Sequence, residues 1–408
     1  MKKIEILSPA GNLEKLETAY LYGADAAYVG GKEFSLRSKA GNFSIEEIKI
    51  AREISIKLNK KLYVALNIFP HNKDIEGIIS YLQELEKIKV DAIIISDTGV
   101  IYLAKKYAPS IPIHLSTQSN TLNWPSCNFW HEQGIERVVL GREVSLDEIK
   151  KIRENSKVEL EAFVHGAMCM AYSGRCMLSM FMTGKSANCG SCTHPCRWEY
   201  YVVEKQRLDD PMPIEEDERG TYIFNSKDLC MLPYIKEFID SGVISLKIEG
   251  RMKSIHYVAT VTKAYRQIAD AILNGDDLGR IIPGLMEELK GIGERDYTTG
   301  FYLPEKDDEM MQYNPHNVIK NIKFVGKVLE YDSEKELITI EQRNKFLTGD
   351  ILEILTPVGD NLTLKVEKII NKDGLEVESA PHPREILYIN GNKNIMPGSL
   401  LRLRSYDD

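Results

Sequence analysis

The stretch IEILSPAGNLEKLETAYLYGADAAYVGG, Ile4–Gly31, holds a strand, a turn, a helix and a second strand in succession. IEIL and AAYV are apolar runs of strand length, and SPAGN supplies the turn residues between strand and helix. NLEKLETAYLYG has helical periodicity, opens on Asn12 as an N-cap and ends at Gly23. The theme then repeats. Further apolar runs are LYVALNIF (62–69), AIIISDTG (92–99), IPIHLSTQ (111–118), RVVLGRE (137–143), LEAFVHG (160–166) and ISLKIEGR (244–251). Helical patterns such as SIEEIKIAREISIKLNK (44–60) and SLDEIKKIREN (145–155) lie between them. Strands alternating with helices argue for parallel pairing with both sheet faces covered. Eight such strands predict a (β/α)8 barrel over residues 1–275, with an open doubly wound sheet as the alternative.

In a barrel, function sits at the C-terminal ends of the strands. These ends are polar and place Arg37, His71, Gln118, Arg142, His165 and Arg251 in equivalent positions. Any one of their Gly, Ser or Asn residues is explained by turn-making. The collective pattern points to a site. Residues 166–226, after the seventh strand, form a βα connection far longer than the usual ~2–6 residues, and helix is expected to resume near Lys227. Residues 276–320 read as a connector. From 321 to 408 the chain turns to short alternating strands, among them KFVGKVLEY, ELITIEQ and NLTLKVEKII, which predict a small C-terminal β-barrel.

The net charge of −8 gives no global sign of nucleic-acid binding. The acid-rich run DDPMPIEEDER (209–219) biases that total and reads as a solvated loop, so a local basic face is compatible with it. No apolar run approaches the ~20 residues of a membrane span. The expected location is the cytoplasm, where clustered thiols favour metal or redox chemistry over disulfides.

Five of the seven cysteines, Cys169, Cys176, Cys189, Cys192 and Cys196, fall in the long connection, and Cys230 follows it. Only Cys189 and Cys192 form a zinc-like knuckle, with no second one to match, so the spacing admits an iron–sulfur cluster or zinc. Nearby Met168, Met170, Met177, Met180 and Met182 would shield a redox centre, although Met is commonly core filler. Cys127 reads as a small buried hydrophobe on a helix.

The segments EAFVHGAMCMAYSGRCMLS (161–179), CTHPCRWEY (192–200) and IEGRMKS (248–254), with the opening ILSPAGNLEKLETAYLYGADAAYVGG, resemble the collagenase-like U-class peptidases, family 32. The resemblance covers nearly the whole chain and is greatest to the branch that hydroxylates tRNA. It implies prephenate-dependent conversion of the wobble uridine to 5-hydroxyuridine, with related members acting on ribosomal RNA cytidine or a quinone precursor. It also implies a [4Fe-4S] cluster on Cys169, Cys176, Cys192 and Cys196, with Cys230 as the alternative fourth ligand. A family-related subunit or a second copy is a further partner to consider.

The family name raises a peptidase alternative, with Ser173, Ser179 or Cys169 as nucleophile and His165 as base. No H-E-x-x-H or G-x-S-x-G occurs, and that reading leaves the cysteines without a role. A cluster-bearing scaffold without catalysis of its own is a third class. For prephenate, two carboxylates call for guanidinium forks, and Arg142, Arg175 and Arg251 are the candidates, each against an alternative salt bridge to Glu143, Glu161 or Glu249. For tRNA, the candidates are Arg175, Lys185, Arg197, Lys247, Arg251 and Lys253, interleaved with Tyr172, Trp198 and Tyr200. His165 completes the catalytic candidates beside Arg142 and Arg251.

Overall fold

The structure, a computed structural model, describes residues 4–32, 34, 42–168, 177–183, 185, 193, 195, 202–204, 207–212, 227–303, 321–391 and 395–404. Eight strands follow one another around a barrel: β1 (Glu5–Pro9), β2 (Ala26–Gly30), β3 (Lys61–Leu66), β4 (Ala92–Ile95), β5 (Ile113–Leu115), β6 (Arg137–Val139), β7 (Glu159–Ala167) and β8 (Ser245–Ile248). Each is parallel to the next. Ser245 of β8 lies opposite both Glu161 and Glu5, so β8 also pairs with β1 and the sheet closes. The expected barrel is found, and the open sheet is not.

The strand residues divide by alternation, as a pleated sheet requires. Ile6, Val29, Val64 and Ile93 face outward into the core beneath the helices. Leu7, Ala26, Tyr28, Tyr63, Ala92 and Ile94 form a separate cluster inside the barrel. The helices are α1 (Leu13–Leu21), α2 (Ile45–Lys57), α3 (Ile75–Ile88), α4 (Thr98–Tyr107), α5 (Trp124–Glu132), α6 (Leu146–Asn155), α7 (Ile235–Asp240) and α8 (Ile255–Asn274). Their starts follow the sequence signals. Asn12 accepts the Lys15 N–H, and Ser44 with Glu47 and Ser145 with Glu148 form reciprocal capping boxes.

The connection after β7 departs from expectation. Helix does not resume near Lys227. Instead Asp228–Cys230 is a strand antiparallel to the end of β7, with Asp228 opposite Ala167 and Cys230 opposite His165. β7 outruns its barrel partners, and this strand pairs the backbone groups that would otherwise be left open. Tyr297–Thr298 pairs in turn with Asp228–Leu229. Within the connection, Leu178–Thr183 is helical, and Val202–Glu204 forms a hairpin with Arg207–Met212. Asp209–Met212, expected as solvated loop, therefore ends a strand.

Helix α9 (Leu278–Ile292) packs beside α8 and leads to the C-terminal domain, an eight-stranded antiparallel sheet with its own core. Val328, Leu352, Leu364, Ile369 and Ile389, from strands spread along the whole sheet order, share that core, so the sheet is rolled upon itself. The domain docks on the barrel through Tyr22, Ile255, Ala259, Leu355 and Leu400. Around this contact the Tyr22 hydroxyl donates to the Leu355 carbonyl at 2.7 Å, and the fully buried Arg402 pairs with Glu288 of α9 at 2.5 Å and with Glu353 at 3.1 Å. Among the described residues, no helix is long and apolar enough to cross a membrane.

Two glycines make opposite predictions. A Cβ on Gly11, in the turn after β1, would stand 2.4 Å from the carbonyl oxygen of Arg251, in the turn after β8. Gly11→Ala must force these turns apart and is expected to cost about 1–3 kcal/mol. Gly284, inside α9, has open space at its Cβ, so Gly284→Ala is expected to stabilise by about 0.5–1 kcal/mol. Denaturant unfolding of the two variants checks both signs.

Candidate functional site

The inside of the barrel is charged near its closing seam. Glu161 of β7 is fully buried and accepts from Lys247 Nζ of β8 at 2.6 Å and from Arg137 Nη1 of β6 at 3.3 Å. Arg137 reaches on to Glu5 of β1 at 2.5 Å and to Glu159 at 2.9 Å. Tyr63 donates to Glu5 at 2.7 Å, and His114 packs edge-on against the Tyr63 ring. Burial first, then the Arg137 charge, holds His114 neutral. Lys247, expected as a phosphate contact at the mouth, is instead an interior residue only 4 % exposed. Burial lowers its pKa and the Glu161 charge opposes that shift.

Toward the mouth, Phe163 carries Lys247 Nζ 5.3 Å from its ring centre and the Arg142 guanidinium carbon at 3.8 Å. Arg142 is 6 % exposed, its Nε is buried without a hydrogen-bond partner, and among the described residues it has no ion pair. The salt bridges to Glu143, Glu161 or Glu249 that would have made it structural are not formed. Across the mouth, Gln118 Oε1 accepts from Asn67 Nδ2 at 2.8 Å and from Ser116 Oγ at 3.0 Å. His71 is exposed on the turn after β3 and stands outside this amide cluster. A buried guanidinium without an ion pair among the described residues is suited to a small carboxylate.

His165 is placed elsewhere. Its ring is 1 % exposed and lies 5.9, 5.5 and 5.3 Å from the rings of Tyr257, Tyr265 and Tyr297. Its Nδ1 is 3.3 Å from the Tyr265 hydroxyl, which donates to the Val164 carbonyl at 2.7 Å. The irregular register between β7 and β8 sets His165 opposite the outward-packed Ile248, so the ring meets helix α8. The strand period alone points to the opposite face. Tyr257 and Tyr265 lie eight positions apart on α8, a helical-face signal present in the sequence but not used for this site.

Cys230 lies in the same buried region, with Sγ 3.8 Å from the Tyr265 hydroxyl and 3.9 Å from Met286 Sδ. Burial raises its thiol pKa to about 11. Cys127 is fully buried on α5, as expected. Arg251 is 5 % exposed, and its carbonyl accepts from Lys15 Nζ at 3.2 Å. Lys253 pairs with Glu294 at 2.5 Å on the rim, and Lys185 is exposed. Ser179 is fully buried; its hydroxyl bonds to the Lys185 carbonyl at 2.8 Å and accepts the Thr193 N–H at 3.1 Å, with no base among its described partners. Arg37, Cys169, Tyr172, Ser173, Arg175, Cys176, Cys189, Cys192, Cys196, Arg197, Trp198 and Tyr200 lie outside the described residues.

Burial, then the Lys253 charge, depresses the His165 pKa to about 3, while Glu249 opposes the shift. Exposed by unfolding, the ring would take a proton near pH 6.5. Between these values the unfolded state binds the extra proton, so His165 removes stability as pH falls from about 6.5 toward 3. The loss attributable to this ring approaches about 1.4 kcal/mol per pH unit, and His165→Gln should lose stability that much less steeply in urea titrations from pH 6.5 to 4.

The tRNA hydroxylation protein P1 of Bacillus subtilis is 42% identical over 401 residues, covering 98% of this chain and 95% of that protein. The tRNA hydroxylation protein P of Escherichia coli is 38% identical over 424 residues, covering 93% of this chain and 92% of that protein. The 23S rRNA 5-hydroxycytidine C2501 synthase of Escherichia coli is 32% identical over 377 residues, 92% of this chain but 52% of that protein. The family model for peptidase family U32 matches residues 11–312, and the model for its C-terminal domain matches residues 320–402. With its barrel and its β domain both matched, the chain belongs to peptidase family U32.

Proposed function

We propose that this protein hydroxylates the wobble uridine of tRNA to 5-hydroxyuridine in the cytoplasm, with prephenate as co-substrate and a [4Fe-4S] cluster as cofactor. The substrate assignment is supported by the near full-length similarity to tRNA hydroxylation proteins in two bacteria. The observation that carries the co-substrate assignment is Arg142: a guanidinium buried at the barrel mouth, stacked on Phe163 and without an ion pair among the described residues. One carboxylate of prephenate satisfies it, and Arg251 and Arg175 are the candidates for the second.

The cluster is assigned to Cys169, Cys176 and Cys192, with Cys196 as fourth ligand and Cys230 as its alternative. The Cys230 strand runs alongside the end of β7, opposite His165, which precedes Cys169 by four residues in the sequence. Such a cluster supplies single-electron transfer. His165, buried and neutral, positions the end of β7 through its tyrosine shell. Of the peptidase nucleophiles, Ser179 is held in hydrogen bonds with no base among the described residues, His165 bonds to Tyr265, and Ser173 and Cys169 lie outside the described residues.

Protein purified without oxygen is expected to be brown and to hold about four irons per chain. Cys169→Ala, Cys176→Ala and Cys192→Ala should lose the iron, and Cys127→Ala should keep it. Loss in only one of Cys196→Ala and Cys230→Ala identifies the fourth ligand. Stoichiometric zinc without iron defeats the cofactor assignment.

Arg142→Met is expected to keep the iron but lose at least tenfold in prephenate affinity by calorimetry, as a charge-assisted bidentate contact is removed. Host cells lacking the gene, grown without oxygen, should lose 5-hydroxyuridine and its derivatives from bulk tRNA. A defect found in ribosomal RNA or quinone instead reassigns the substrate.

A further inference from the structure

A cleft of about 490 Å³ lies between the end of β8 and the C-terminal domain, sharing Lys253 and Tyr257 with the surroundings of His165. It is lined by Met252, Lys253 and Ser254 of the turn after β8, His256 and Tyr257 of α8, Ile292 and Glu294 at and after the end of α9, and Ile322 of the C-terminal domain. Because that turn leaves the C-terminal end of β8, the cleft borders the barrel mouth.

Three groups there have unfilled capacity. Helix α8 runs for 20 residues and points its N-terminus at the cleft; its N-cap Ser254 accepts the Tyr257 N–H at 3.2 Å. Among the described residues no acceptor meets the N–H groups of Ile255 and His256, the usual orphans of a first helical turn. The second group is the His256 side chain, 6 % exposed and stacked on Phe324 with ring centres 5.6 Å apart. Its Nε2 is buried with no hydrogen-bond partner. The third is Lys253, whose ion pair with Glu294 sits on the rim, with side-chain exposures of 27% and 53%. An exposed pair of this kind is worth little, so an arriving anion can share the ammonium.

Open N–H groups at a helix N-terminus, a buried polar ring and an ammonium make an anion site, and phosphate is the anion such helix ends bind most readily. Met252, 52% exposed, adds an apolar surface that suits a sugar or base attached to it. We propose that this cleft binds a backbone phosphate of the RNA substrate, flanking the nucleotide that enters the barrel mouth. The assignment rests on the tRNA reading given above and deepens it: the C-terminal domain helps to form a wall of the RNA-binding surface.

Ser254→Asp tests it. Asp and Ser are equivalent N-caps, so α8 keeps its cap while a carboxylate enters the cleft. Asn123→Asp adds the same charge at the cap of α5, away from the cleft, and serves as the control. With purified protein and unmodified tRNA, Ser254→Asp is expected to bind about tenfold more weakly near physiological salt. The slope of log K against log salt should flatten by about 0.7–0.9. Asn123→Asp should match wild type in both. Should Ser254→Asp lower the melting temperature, Lys253→Glu on the exposed rim repeats the test.

Wild-type affinity and slope in both cleft variants overturn the proposal. Uridine monophosphate that displaces tRNA from wild type, but binds Ser254→Asp poorly, assigns the cleft to a free nucleotide and also overturns it. Failure of wild-type protein to bind tRNA at all is a different result: it removes the substrate reading, and this inference with it.

Discussion

The carboxylate of Glu161 holds the barrel shut. It takes one hydrogen bond from Lys247 on β8 and one from Arg137 on β6, and Arg137 passes the link to Glu5 on β1. Four strands about the closing seam are therefore joined by one charged chain that is largely buried. Burying these groups is costly, and the attraction between them offsets the cost only because each finds partners. Apolar packing could fill the same volume. The ionic chain additionally fixes register, since a slip of one residue would turn Lys247 or Glu161 to the opposite face.

The mouth inherits its order from that seam. Lys247 and Glu161 place Phe163 between two cations, and the face of Phe163 carries Arg142. In the Glu5–Arg137–Glu161–Lys247 chain, with Glu159 also paired to Arg137, each cation has a carboxylate partner. Arg142 is left over. The C-terminal domain is held close by a different means: an apolar contact around Tyr22 and Leu400, ringed by Arg402, Glu288 and Glu353. That docking completes the cleft beside β8, to which the C-terminal domain contributes Ile322, and it stacks Phe324 on His256.

The sequence made all eight barrel strands legible, because apolar runs between Gly and Asn turns repeat with a regular helical spacer. It also marked Arg142 and Gln118 by their place at strand ends. What it hid is orientation. His165 and Arg142 both stand at strand ends, yet an irregularity in the β7–β8 register turns His165 toward α8 while Arg142 stays at the mouth. Lys247 looked like a surface cation, and only the strand opposite reveals Glu161 as its partner. The Asp228–Cys230 strand was equally hidden: three residues carry no periodicity, and their pairing depends on the overhang of β7. Local pattern fixes which element forms; partners distant in sequence decide what each side chain meets.

Net charge and local field point in opposite directions here, and burial decides between them. The chain carries −8 overall, but charges at an exposed surface are screened beyond ~8 Å at physiological ionic strength. Arg142 lies in a region of low dielectric, where its field reaches a ligand with little screening. A small carboxylate entering the mouth would therefore meet the Arg142 charge over an aromatic face, while the acids of the outer surface act mainly at longer range and lower strength. The same reasoning would separate the two proposed anion sites. The mouth would select a small ligand by burial, whereas the cleft beside β8, with its half-exposed Met252 and rim lysine, would accept a chain that continues into solvent.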